Sequence, residues 1–303
     1  MILVTGGSGV LGRALQEELD RREEEYVTIS SSELDLRDAD ATTARVKDIS
    51  PRVIYHVAGR VHGLGGNGKY PAEMYTDNVR INTNIVDAAS VAKCQKIVAI
   101  STIATYSSDA PRPVKETSIW DGPPHASEAA YAHAKRGMLA QLEAYSAQHG
   151  LRFAYPIMTN IYGPHDRFDP VYGHVIPSLV AKFHKAKQTG EVVEIWGTGK
   201  AERDFIFSRD AARALVAIGE SFEGPINVAT GTTVRIREVV DILQAHSGVN
   251  NVEWDANKPD GQLLRNYDVS RLAGIGFTPE VSLEQGLMET FDWYESAYPD
   301  VRS

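Results

Sequence analysis

Tyr131 and Lys135 stand four residues apart in the stretch "AAYAHAKRGM". On a helix that spacing places both side chains on one face, one turn apart. An ammonium beside a phenol favours the phenolate, which lowers the tyrosine pKa towards neutral pH. A tyrosine tuned this way can exchange a proton with a carbonyl oxygen while hydride moves at the same carbon. The pair alone is common on helices, so its meaning depends on what surrounds it. The chain opens "MILVTGGSGVLGRAL", an apolar strand followed by Gly6, Gly9 and Gly12 and then an amphipathic run. Glycine permits a tight turn and lets backbone amides approach a diphosphate at the positive end of the next helix. Ser8, Val10, Leu11 and Arg13 belong to the same turn and complete a candidate dinucleotide cradle.

Positioning these groups requires a regular scaffold, and the apolar pattern supplies one. Ile2–Thr5, Tyr26–Ile29, Val53–Val57 and Lys96–Ser101 read as strands buried on both faces. Val10, Leu11, Ala14, Leu15 and Leu19 fall at helical spacing, as do Ile81, Ile85, Ala88, Ala89 and Ala92. A helix over about 127–148 and a strand over about 151–156 follow. The alternation predicts an α/β fold, a doubly wound parallel (Rossmann) sheet with its ligand at the carboxyl ends of the strands. Beyond Pro156 the chain is broken by prolines and glycines. Helices are expected near 175–187, 210–220, 236–246 and 283–294, with a strand near 192–196. We therefore expect a dinucleotide-binding domain over 1–165, joined by 205–230. A smaller C-terminal α/β substrate lobe would comprise 166–204 and 231–303.

The second strand ends "VTISSSE", with Ser30 and Ser31 where an NAD-binding chain usually places an acid for the ribose hydroxyls. Hydroxyls there could bond a ribose phosphate, and Arg13 could add charge. This favours NADP(H) and leaves NAD open. Asp35 and Leu36, just beyond, are assigned to the same cofactor, as are Ala58 and Gly59 after the third strand.

Composition narrows the function classes. The chain has 303 residues, 43% of them hydrophobic and 23% charged, as in an ordinary globular protein. A net charge of −9 argues against a nucleic-acid footprint. The single Cys94 excludes an internal disulfide framework. The histidines lack metal-ligating spacing, and no "GxSxG" elbow is present. With no apolar run of membrane-spanning length and no leader pattern, a cytoplasmic enzyme without metal, membrane or nucleic-acid partner is the expectation.

Five stretches in order, "TGGSGVLG", "HVAGRV", "STIATY", "YAHAK" and "ERDFIF", resemble the extended short-chain dehydrogenase/reductases, the NAD-dependent epimerase/dehydratase family. The resemblance covers most of the chain. It implies a Thr102–Tyr131–Lys135 catalytic set and puts Ala58 and Gly59 beside the cofactor ribose. Longer stretches, "TNIYGPHDRFDPVYGHVIPSLVAKFH" and "IWGTGKAERDF", are similar to the GDP-L-fucose synthases within that family. That likeness implies NADPH-dependent reduction at C4 of a GDP-linked 4-keto-6-deoxy sugar, and a homodimer. It carries His174 over as an acid–base residue, and Asn160, His174, Lys182, Trp196, Arg203 and Arg265 as substrate contacts. One departure stands out: the cysteine that partners this histidine in 3,5-epimerisation aligns with Ala104, and alanine has no proton to move. A C4 reductase without that epimerisation is expected, with a nucleotide-sugar epimerase using a retained cofactor as the alternative.

Overall fold

Apolar strands too short for helices alternate with amphipathic segments, and the computed structural model, which describes residues 1–61, 69–170, 173–258 and 260–302, assembles them around one parallel sheet. Its strands are β1 (Ile2–Thr5), β2 (Tyr26–Ile29), β3 (Val53–His56), β4 (Lys96–Ala99), β5 (Ser101–Thr102), β6 (Arg152–Met158) and the late β11 (Gly224–Val228). Between them lie α1 (Val10–Arg21), α2 (Ala39–Ile49), α3 (Pro71–Val91) and α4 (Ala129–His149). The sheet order is β11-β6-β4-β3-β1-β2, with β5 beside β6. Every pairing in it is parallel. Strand order reverses between β1 and β3, so the crevice for a ligand opens at their carboxyl ends.

Side-chain alternation splits the core across the sheet. Leu3, Ile54, Ile97 and Tyr155 face α3 and α4, where Ile85, Ala88, Met138 and Leu139 meet them. Ile2, Val4, Tyr55 and Val98 face α1 and α6 (Ser208–Ser221), against Leu15, Leu19 and Leu215. Each such side chain contributes about 1.5–3 kcal/mol through burial. Lys96 is buried too, but its ammonium donates to the carbonyls of Ile218 (3.0 Å), Gly219 (2.7 Å) and Phe222 (2.6 Å), closing the end of α6.

The later chain adds β7 (Asn160–Tyr162), α5 (Val175–Thr189), β8 (Val193–Trp196), β9 (Glu202–Arg203) and β10 (Phe205–Phe207). After β11 come β12 (Val234–Arg235), α7 (Ile236–Ser247), β13 (Val252–Asp255), β14 (Leu264–Arg265), α8 (Ser270–Gly274) and α9 (Leu283–Ala297). A separate core of Phe168, Phe183, Val240, Leu243 and Phe291 holds α5, α7 and α9 together.

Two local differences from the expectation have clear causes. Helix α2 was not anticipated because it buries only Thr42 and Val46, too few for a stripe. The expected strand Lys96–Ser101 breaks at Ile100, whose carbonyl accepts the Lys135 ammonium at 2.8 Å. No helix among the described residues is long and apolar enough to cross a membrane.

Candidate active site

The glycine turn sits where β1 delivers it, at the reversal point of the sheet. A Cβ on Gly12 would lie 2.2 Å from the Gly6 carbonyl oxygen, and one on Gly6 would lie 2.6 Å from the Ala58 nitrogen. These two glycines are therefore demanded by backbone packing. Gly9 is different. It caps α1 with φ −84°, an ordinary conformation, and a Cβ there would meet nothing closer than 3.6 Å. The protein leaves that space open above the first turn of α1, which has no side-chain cap and no acid. Ser8 is exposed and Gly9 and Val10 are half-buried at this opening, while Leu11 is buried beneath it. Uncapped amides facing an open space suit a dinucleotide diphosphate. Arg13 follows on the exposed side of α1.

Ala58 and Gly59 lie between this turn and Lys135. Asn78 clamps their loop: its side chain accepts the Arg60 N–H (3.0 Å) and donates to the Arg60 carbonyl (2.9 Å). A Cβ on Gly59 would come within 3.9 Å of Lys135 Nζ. Beneath them His56 is held neutral, its pKa pushed down to about 3 by burial and then by the Lys135 charge. Asn82 Oδ1 accepts from His56 Nε2–H (3.2 Å), which leaves Nδ1 to accept the Thr5 hydroxyl (2.8 Å).

Tyr131 opens α4 and Lys135 follows one turn on, its Nζ 5.9 Å from the phenol ring centroid. Lys135 is only 3% exposed, and burial lowers its pKa from 10.5 to about 7. Its ammonium donates to Ile100, two residues before Thr102, and so ties the tyrosine helix to the end of the central strands. Thr102 Oγ1 accepts the Ala104 N–H at 3.2 Å, which leaves the Thr102 hydroxyl proton to donate elsewhere. One expectation is corrected here. The Tyr131 pKa is raised rather than lowered, first by burial and then by the neighbouring Glu128 carboxylate. Desolvation of the buried phenol dominates the shift.

The end of β2 is also different from its sequence reading. Glu33 folds back so that Oε2 accepts both the Ser30 N–H (2.8 Å) and the Ser30 hydroxyl (2.7 Å). A carboxylate thus stands at the strand end after all, drawn there by an amide with no strand partner. Ser31 remains exposed. Asp35 is held by Arg37, whose Nε and Nη2 donate to it at 2.9 and 2.8 Å, and its pKa falls to about 2. Leu36 is buried, and its carbonyl accepts Asn84 Nδ2 at 2.9 Å.

On the far side of the crevice, β14 pairs with β9 so that Arg265 stands directly opposite Arg203. Like charges at paired positions repel. The Arg203 pKa drops to about 10, through burial first and the Arg265 charge second. Arg203 Nη1 donates to the carbonyls of Glu202 (2.8 Å) and Gln262 (2.5 Å), and Arg265 reaches Glu128 at 3.1 Å. Two close cations on a scaffold this fixed have the chemistry to attract a diphosphate. Asp204, which the motif reading passed over, fixes that scaffold: its carboxylate accepts the N–H groups of Thr230 (2.9 Å) and Gly231 (2.8 Å). Burial raises its pKa to about 6. Arg265, Glu128, His125 and Ala104 line one crevice, so the position aligned with the cysteine faces the same space as Arg265.

The remaining candidates lie elsewhere. Asn160 donates one amide N–H to the Asp204 carbonyl (2.8 Å), which supports the Arg203 strand. His174 is exposed at the start of α5, with the buried Asp166 in electrostatic reach. Lys182 donates to the Glu194 carbonyl (3.0 Å), tying α5 to β8. Trp196 is 57% exposed, with Lys258 Nζ 5.4 Å from its ring centroid. Neither Lys182 nor Trp196 lines the crevice that holds Arg265. Cys94 is buried, and burial raises its thiol pKa to about 11.

Residues 2–229 match the sequence pattern of the NAD dependent epimerase/dehydratase family. The chain belongs to that family. It is 34% identical over 299 residues to GDP-L-fucose synthase 1 of Arabidopsis thaliana, covering 97% of this chain and 92% of the relative. Its fold matches that of a GDP-L-fucose synthetase from Naegleria fowleri bound to NADP, with a TM-score of 0.92 and 29% identity, over 100% of this chain and 96% of that one. It also matches a GDP-6-OMe-4-keto-L-xylo-heptose reductase from C. jejuni, with a TM-score of 0.91 and 25% identity, over 97% of both chains.

Proposed function

We propose that this member of the epimerase/dehydratase family is an NADPH-dependent reductase of the C4 keto group of a GDP-linked 4-keto-6-deoxy sugar, without cysteine-dependent 3,5-epimerisation. The observation that carries the reading is Ala104 in the crevice wall, two residues after Thr102, whose hydroxyl oxygen accepts its N–H, and facing the same space as Arg265. NADP in the related Naegleria structure and a ketoreductase among the fold neighbours support the cofactor and the direction of reaction. Gly6 and Gly12 shape the turn and Gly9 leaves room for the dinucleotide, which when bound supplies the hydride. Thr102 donates its hydroxyl proton to the C4 oxygen and orients it. Tyr131 gives its phenolic proton to that oxygen. A raised phenol pKa suits this step, because it keeps the donor protonated across neutral pH. Lys135 then stabilises the phenolate by its charge. Arg203 and Arg265 hold the diphosphate at the other end. The same reading makes the protein a cytoplasmic homodimer that packs through the helix bearing Tyr131.

The test is to incubate the purified chain with GDP-linked 4-keto-6-deoxy sugars and NADPH in deuterated water. We expect stoichiometric NADPH oxidation, no deuterium at C3 or C5, and a Tyr131→Phe variant slowed at least about a thousandfold. Deuterium at either carbon, or turnover of substrate with no added reduced cofactor, overturns the reading in favour of an epimerase.

A further inference from the structure

The open space above Gly9 has one neighbour that no motif suggested. Nη1 of Arg302 is the nearest protein atom, 3.6 Å from where a Cβ on Gly9 would be. This arginine lies five residues beyond the end of α9, on a tail that is held in place along its length. Its carbonyl accepts the Phe168 N–H at 2.8 Å, and Val301 packs against the core that Phe168 and Phe291 share. The backbone is thus anchored on the Asp166–Phe168 loop while the side chain extends to the mouth of the glycine turn.

That placement is unfavourable in the protein alone. The amino end of α1 carries the positive end of the helix dipole, and a cation beside it is repelled. Among the described residues the Arg302 guanidinium makes no hydrogen bond or ion pair. Asp166 lies within electrostatic reach and is 5% exposed, yet its Oδ1 accepts the Arg167 N–H (2.7 Å) and its Oδ2 has no hydrogen-bond partner among the described residues. The first turn of α1 has neither an acid nor a side-chain cap. A cation and uncapped amides therefore converge on one open space, which an anion would reconcile.

We infer that Arg302 is a cofactor-binding residue: the carboxyl-terminal tail carries it to the glycine turn to clamp the pyrophosphate of the dinucleotide against the amino end of α1. The inference rests on the dinucleotide reading of that turn and not on which sugar is reduced. The pyrophosphate is common to NADPH and NADH, so a clamp on it serves both. A contact with the ribose 2′-phosphate would serve NADPH alone.

The test is binding, not turnover. Dissociation constants for NADPH, NADH and GDP are measured on the full chain and on Arg302→Gln and Arg302→Lys, by calorimetry and nicotinamide fluorescence. Loss of one charge-assisted contact at a partly exposed site predicts about tenfold weaker binding of both dinucleotides to Arg302→Gln. Arg302→Lys should recover part of it, and GDP binding should not move. Unchanged dinucleotide binding overturns the inference, including the case in which only the melting temperature falls, which would make the tail a structural staple. Weakening confined to NADPH also overturns it, by moving the contact to the 2′-phosphate. If the unmodified chain binds neither dinucleotide, the cofactor reading itself fails, and that result is separate from any effect of Arg302.

Discussion

Gly9 and Gly12 share a turn, yet their replacement by alanine should have opposite consequences. At Gly12 the new methyl would lie 2.2 Å from the Gly6 oxygen and 2.8 Å from the Gly7 Cα. Both are backbone atoms, so no rotamer change relieves the overlap. Overpacking of this kind costs about 1–3 kcal/mol, which in a chain of this size lowers the melting temperature by about 2–5 °C. At Gly9 the methyl would meet no atom within 3.6 Å, and φ −84° suits alanine. Alanine is a poorer helix cap than glycine by roughly 0.5–1 kcal/mol, and it loses less backbone entropy on folding by about 0.4–1 kcal/mol. These nearly cancel, so Gly9→Ala should melt within about 1 °C of the parent without cofactor. The methyl would instead occupy the space through which a phosphate oxygen approaches the amides. Losing one charge-assisted amide contact, about 1.5–3 kcal/mol, predicts roughly ten- to a hundredfold weaker NADPH binding. Calorimetric melting with and without NADPH separates the two effects, because ligand stabilisation scales with the logarithm of affinity. A Gly9→Ala protein that binds NADPH like the parent would refute the cradle, and an unaltered melting temperature for Gly12→Ala would refute the packing argument.

Two further outcomes follow from the same structure. Arg203→Gln should weaken GDP binding about tenfold or more, with the parent's binding falling steeply with added salt and the variant's less so, as titration calorimetry at several ionic strengths would show. The buried Lys135 has a pKa near 7 in the fold and 10.5 unfolded, so between those values the unfolded chain holds the proton that the folded chain releases. Stability of the cofactor-free protein should therefore rise with pH from 7 to 9, by up to about 1.4 kcal/mol per unit. Urea midpoints for Lys135→Met should lack that slope, and an equal slope in both proteins would sink the assignment.

What the chain revealed in advance was whatever repeats locally. The strands that became β1 to β4 and β6 announced themselves as short apolar runs, and α1, α3 and α4 as stripes, because each buries a full face against the sheet. Helix α2 stayed hidden because it buries only Thr42 and Val46. The glycines, Tyr131, Lys135 and Thr102 were legible as well, being fixed in number and spacing by the turn, helix and strand that hold them. Properties set by neighbours distant in sequence were not. The sign of the Tyr131 shift depended on burial and on Glu128, and the acid missing from the end of β2 was supplied by Glu33 folding back on Ser30. Arg203 was found by its motif, but its repulsive pairing with Arg265 exists only through strand register. That pairing and the placement of Arg302 share a logic. In both, a cation is held close to a like charge or to the positive end of a helix, at a position where an incoming phosphate would be attracted. Selection for folding alone would remove such charges, since like-charge contacts and cations at helix amino ends lower stability. A gain in binding would offset that cost, from the dinucleotide phosphates beside Arg302 and from those of the sugar nucleotide beside Arg203 and Arg265.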